Sequence, residues 1–198
     1  IKNPLNSLAL VLELLGRKVP PEAKGEIDLG KAQVRTIARI VDRFSRVVKA
    51  VQPDAEPLAL DDILGQAADS LAAEVPGARP RIRLETAPGL RLTGDRDLLV
   101  QAFLNVLRNA LEASAEAPVQ TAGRRAGRSV EVLIRDRGPG LAPGAAARVF
   151  EPFYTTKEKG MGIGLYLTKR IVEAHGGTIE ARSPEGGGTE FRIELPGA

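Results

Sequence analysis

The chain has 198 residues, 43% hydrophobic and 27% charged, a balance that excludes disorder along its whole length and suits one or two domains. Lys+Arg number 28 and Asp+Glu 25, and the resulting +3 is too small to imply nucleic-acid binding. Cysteine is absent and histidine occurs once, as His175, which excludes disulfides, thiolate chemistry and multi-histidine metal sites. No apolar run approaches the ~20 residues of a membrane-spanning helix, so a soluble chain compatible with a reducing compartment is expected.

Ile1, Leu5, Leu8, Leu12, Leu15 and Val19 alternate steps of four and three, the seam of a bundle helix, until Gly16 and Pro20-Pro21 interrupt it. Ile27, Val34, Ile37, Val41, Phe44, Val48 and Val51 form a second seam, with Gly30 at an apolar position as a weak point or a close approach. The two helices predict an antiparallel hairpin over residues 1–52. Its half-exposed seam calls for a second copy and a dimeric four-helix bundle.

Residues 53–57 read as a linker. Beyond it, Asp61-Asp62 open a helix to about Val75, Arg81–Glu85 and Leu90–Leu92 are strands, and Asp95 to about Ser114 is a long helix. Glu116–Arg128 reads as a solvated basic loop. Val130–Arg135 alternates as a strand, Gly162–His175 is helical, and 178–183 with 189–195 form a hairpin whose Phe191, Ile193 and Leu195 share a face. Helices and strands mix without a βαβ rhythm, so residues 58–198 are expected to be an α+β domain.

Four stretches of that domain carry chemical signals. Asn105, Asn109 and Glu112 share a helix face opposite Phe103, Leu107 and Ala110; taken alone, a plain solvent face accounts for them too. Asp136-Arg137-Gly138-Pro139-Gly140 sets a carboxylate at a strand end, where it can accept from an exocyclic amine; a plain turn fits it equally. Phe150–Lys157 offers apolar anchors, hydroxyls and a cation, or a plug between loops. Gly160-Met161-Gly162-Ile163-Gly164-Leu165 runs into a helix, where free N–H groups can face anionic oxygens; a flexible hinge is the alternative.

In this order the four stretches resemble the N, first-glycine, F and second-glycine boxes of sensor histidine kinases, over residues 95–176. Ile1-Lys2-Asn3-Pro4-Leu5 looks like the tail of that family's H box, and Phe44-Ser45-Arg46 with Glu151–Lys157 resembles its nitrogen-regulation branch. The resemblance implies a helical-hairpin dimerisation and phosphotransfer domain (1–52) and a Bergerat-type ATP-binding sandwich (58–198). It also implies ATP and Mg²⁺ as cofactors, and phosphorylation of a histidine followed by transfer to a response-regulator receiver domain. By position, Asp136 resembles the residue that reads the adenine amino group, with Gly138 and Gly140 beside it. Asn109 resembles the Mg²⁺ ligand, and Asn105 lines the phosphate side. Gly160, Gly162 and Gly164, followed by Leu165, resemble the hinge and phosphate cradle. Lys157 is the candidate for neutralising the β/γ-phosphates. Many members carry Lys three residues after the second Asn; here that position is Glu112.

The phosphoacceptor histidine would precede Ile1, so no stable autophosphorylation of this chain is expected. Asn3 stands four residues after that position, the spacing of a residue that assists removal of phosphate from the regulator. His175 falls in a His-Gly-Gly that has a packing role in the family. A cytoplasmic location is implied, with membrane contact only through segments outside this chain. A hydrolytic clamp related to gyrase or mismatch-repair ATPases needs a water-activating glutamate near Asn105, which asparagine cannot replace. A serine-phosphorylating anti-sigma relative would lack the hairpin; a non-catalytic ATP-binding scaffold and a regulator phosphatase stay open.

Overall fold

The computed structural model describes residues 2–16, 20, 24–48, 52–157 and 160–198, with side chains described except at 2–6 and 39–48. The chain separates into two compact units, residues 1–50 and 51–198.

In the first unit, helix α1 (Lys2–Gly16) and helix α2 (Lys24–Val48) run antiparallel. Leu12 lies against Gly30, a Cβ on which would come within 3.5 Å of the leucine, and Gly16 faces Ile27 and Lys31. Gly30 is therefore a close approach between helices. Val34 is buried, whereas Leu8, Leu15 and Ile37 of the two seams remain 43–47% exposed. Ile1, Val19 and Val51 lie outside the described residues, as do the side chains of Asn3, Leu5, Val41, Phe44 and Val48.

The second unit is an α+β sandwich. Its sheet has β2 (Ile82–Thr86), β4 (Val119–Ala126), β5 (Ser129–Arg135), β6 (Thr178–Arg182) and β7 (Glu190–Pro196), ordered β2-β4-β5-β7-β6. Only β2 and β4 pair in parallel; the other neighbours are antiparallel. Helices α3 (Leu60–Glu74), α4 (Arg96–Ala113) and α6 (Gly164–Ala174) pack on one face, and α5 (Ala145–Arg148) is a single turn. Val130, Val132, Ile134, Phe191, Ile193 and Leu195 alternate inward against Leu99, Phe103 and Leu107 of α4, all buried in one core. Each such large side chain contributes about 1.5–3 kcal/mol by leaving water.

Two expectations are corrected. Residues 119–126 form a strand inside the sheet rather than a solvated loop. Val119, Thr121 and Gly123 alternate inward, but small side chains mute the pattern, and the basic Arg124-Arg125 faces solvent before the Gly127 turn. Glu56 and Pro57, read as linker, belong to β1 (Glu56–Ala59), which pairs with β3 (Arg91–Gly94) in a separate two-stranded ribbon. A ribbon edge tolerates a proline, which has no N–H to give to a ladder.

The outer sheet face balances its own charge. Glu131, 1% exposed, is paired with Arg124 and with Arg192, the latter at 2.6 Å. The hydrogen bond from Arg124, and then that from Arg192, hold its carboxyl below the usual glutamate range, against burial that pushes it up.

Helix α4 begins where the sequence reading put it. Asp95 is its N-cap, accepting from Leu98 N–H at 3.1 Å, a contact of about 1 kcal/mol. His175, at the end of α6, closes the same corner. Its Nε2 accepts from Asp95 N–H at 2.9 Å, which leaves Nδ1 to donate to Ile171 O at 2.7 Å. A Cβ on Gly94 would meet the imidazole at 2.7 Å, so glycine is needed there. His175→Ala strands the Asp95 N–H and should cost about 1–3 kcal/mol, read as a lower urea midpoint; a midpoint within 0.2 M of the parent, roughly 0.2–0.6 kcal/mol, contradicts this.

Candidate nucleotide-binding site

The four sequence stretches meet along α4. At residue 105, the Asn105 carboxamide is the nearest group to Gly164, 3.9 Å from a Cβ placed there. One turn on, Asn109 Oδ1 accepts from Lys157 Nζ at 2.9 Å, and the same ammonium pairs with Glu112. At the helix end, Gly138 is pressed so closely on Ala113 that a Cβ would lie 2.6 Å from its carbonyl oxygen, and Arg137 N–H donates to Ser114 Oγ at 3.1 Å. From Asn105 to Ser114 the axial rise is about 14 Å. Helix α4 is the ruler of the site.

Asp136 lies just past the end of β5 and is 1% exposed. Oδ1 accepts from Gly138 N–H at 2.8 Å and from Thr189 N–H at 2.9 Å, and Asp136 N–H donates to Thr189 O at 2.9 Å. Among the described residues no hydrogen bond falls on Oδ2. Gly140, at φ +79°, sits where a Cβ would meet Ser183 Oγ at 2.9 Å and Gly188 O at 3.0 Å, and Leu141 N–H donates to Ser183 Oγ at 2.7 Å. Thr189, Ser183 and Ser114 were missed by sequence reasoning. The only signal was the Gly186–Gly188 run, read there as a hairpin turn.

The segment after α5 is anchored by aromatic rings. Phe150 meets Phe191 edge-on at 6.4 Å, and the Arg148 guanidinium lies 4.9 Å from the Tyr154 ring centre. Phe153 N–H donates to Gly162 O at 2.9 Å, closing a neck in which Phe153 itself has φ +67°. Lys157 N–H caps back onto Thr155 Oγ1 at 3.1 Å, beside Gly160. Ile163 is buried, and Leu165 packs against the core at the start of α6. Among the described residues the first turn of α6 has no side-chain cap, and the first N–H groups of a helix have no partner within it.

Of the predicted residues, Asn105, Gly164 and Leu165 thus lie at one end of the ruler, Asn109 and Lys157 along its middle, and Asp136, Gly138 and Gly140 at the other end. Gly160 and Gly162 lie in the segment between Lys157 and α6. The side chain of Asn3 falls outside the described residues. Among the described residues there is no cluster of three or more His, Asp or Glu that could hold a metal ion.

A two-layer ATP-binding sandwich with these boxes in this order defines a class, and residues 94–198 match the family described as histidine kinase-, DNA gyrase B-, and HSP90-like ATPase; the chain belongs to it. Its relatives are sensor kinases. It is 33% identical, over 99% of its length and 59% of the relative's, to the sensory histidine kinase/phosphatase NtrB of Rhodobacter capsulatus. It is 37% identical to the C4-dicarboxylate transport sensor protein DctS of the same organism, over 83% of this chain and 26% of that one. The mycobacterial sensor histidine kinase MprB superposes with a TM-score of 0.63 at 30% identity, covering 72% of this chain and 97% of the solved one. Full-length ShkA in complex with AMPPNP gives 0.69 at 27% identity, over 99% of this chain and 43% of that one. The chain spans only about a quarter to three-fifths of the length of these curated relatives.

Gly162 is a point of required geometry. At φ +63° its Cβ would come within 2.5–2.7 Å of the Phe153 and Tyr154 carbonyl groups. Gly162→Ala should open the neck, at about 1–3 kcal/mol, and accelerate exchange of the Phe153 amide by about fivefold to a hundredfold. An unchanged exchange rate contradicts this geometry.

Proposed function

We propose that the chain binds ATP along α4 and delivers its γ-phosphoryl group to a histidine, from which it passes to an aspartate of a response-regulator receiver domain. The observation that carries this reading is the Asp136 carboxylate, buried and held through one oxygen by two backbone N–H groups, at the far end of α4 from Asn105 and the uncapped start of α6. An acceptor oxygen fixed in this way suits the exocyclic amine of adenine. The phosphates then run toward Asn109, Asn105 and the N–H groups of Gly164 and Leu165.

The donor chemistry fits a hard cation at Asn109. Its amide oxygen already accepts an ammonium, and Mg²⁺ prefers such an oxygen together with substrate phosphates and water. When bound, Mg²⁺ neutralises phosphate charge. In this reading Lys157 adds a second positive charge, and positioning with electrostatics supplies most of the catalysis. Asn105, one turn before Asn109, cannot act as a general base for water, which favours transfer over hydrolysis.

The acceptor must be a nucleophile held in line with the γ-phosphate. His175 does not meet that need, because both ring nitrogens are engaged in the core. The acceptor in this reading precedes Ile1, on the hairpin whose exposed seam residues Leu8, Leu15 and Ile37 suit a dimeric bundle. Asn3, beside it, is the proposed phosphatase residue.

Labelled ATP incubated with this chain and a separate hairpin carrying the complete H box tests the reading. Acid-labile, alkali-stable label on the added hairpin, with none on this chain, is expected. Label on His175, or ATP turnover with no transfer, overturns it.

A further inference from the structure

The ammonium of Lys157 sits between two oxygens of one helix face. It donates to Asn109 Oδ1 at 2.9 Å and pairs with Glu112, three residues further along α4. Asn109 Oδ1 is also the oxygen assigned to Mg²⁺ above. An ammonium donating to that oxygen and a divalent ion bound by it would need overlapping positions and would repel each other. The two cations therefore compete.

We propose that Glu112 is a positioning residue that holds the Lys157 ammonium on the metal position, so that Mg²⁺ with its nucleotide enters by cation exchange. The proposal rests on the ATP-binding reading above. The charges support it. Without a cation beside it, the Glu112 carboxylate would repel incoming phosphates, and Lys157 cancels that charge. Once Asn109 is taken by the metal, Lys157 leaves that oxygen and is free to face the β/γ-phosphates. Both side chains of the pair are nearly half exposed, at 46% and 49%. An exposed pair of this kind biases an equilibrium by only about one- to fivefold, so the hold is weak enough for a divalent ion to displace.

The lysine that meets Glu112 comes from a segment 45 residues away. The carboxylate makes that arrangement work, since it brings the distant cation to the helix face.

Calorimetric titration of ADP into this chain at stepped Mg²⁺ concentrations, with Mn²⁺ binding followed by electron paramagnetic resonance, tests the proposal without any turnover. Glu112→Gln and Lys157→Met should each lower the metal midpoint for nucleotide binding about two- to fivefold. The double variant should give the same midpoint as either single one. Metal-free ADP affinity should rise in Glu112→Gln and fall in Lys157→Met, and Glu112→Asp should restore the parent midpoint. A midpoint raised by Glu112→Gln would make Glu112 a metal ligand and overturn the proposal, as would midpoints equal in all variants. A parent chain that binds no ADP at any metal concentration overturns the ATP-binding reading and this proposal together.

Discussion

A carboxylate that is 1% exposed must be supplied with hydrogen-bond donors, and the way Asp136 obtains them fixes much of the second unit. The donors are two main-chain N–H groups, from Gly138 two residues on and from Thr189 on the neighbouring chain segment. Bringing both to one oxygen requires the end of β5 to stay in register with the start of β7. The ladder that ends at Arg135 opposite Glu190 does this. It also requires bare backbone at Gly138, Gly140 and Gly188, each too tightly packed for a Cβ. Gly188 lies against the Asp136 main chain, Gly138 against Ala113, and Gly140 against Ser183 and Gly188, so these glycines let neighbouring backbone segments close around the residue.

From that fixed point α4 sets the distances. Its buried face of Leu99, Phe103 and Leu107 locks the helix to the sheet, and Asp95 and His175 lock its start. The opposite face then presents Asn105, Asn109 and Glu112 at fixed spacing along the helix. The tight packing around Asp136 contrasts with Lys157, whose contacts are an exposed ion pair and a hydrogen bond beside a glycine-bearing neck, the weakly held kind of structure that can exchange partners.

Much of this was legible from the chain. The helix from Asp95 to Ser114 announced both ends, because a capping carboxylate and a seam of large apolar residues are local signals. The order of the four boxes pointed to the candidate site, because each box depends on residue types that backbone geometry or polar chemistry demands. Strand β4 was hidden for a physical reason. Its inward residues are Val119, Thr121 and Gly123, so two of the three provide little apolar contrast, and Gly123 is there because Leu60, Thr86 and Leu90 leave no room for a side chain. Strand β1 was hidden by its proline and by its partner, β3, more than thirty residues away. The pairing of Lys157 with Glu112 and the Thr189 N–H donated to Asp136 join residues 45 and 53 positions apart. Such contacts belong to the fold, and no local pattern reports them.

The central claim is that Asp136, through the oxygen its backbone donors leave open, reads the amine of adenine. Guanine carries a carbonyl oxygen at that position, which sets acceptor against acceptor. The most direct measurement is calorimetric comparison of ADP and GDP binding to the parent chain and to Asp136→Asn, at fixed Mg²⁺. The parent should favour ADP at least about a hundredfold, since a site built to hydrogen-bond one group strongly rejects a ligand lacking it. In Asp136→Asn that preference should collapse to within a few-fold. Equal affinities for ADP and GDP in the parent chain, or a preference undiminished in the variant, would contradict the account.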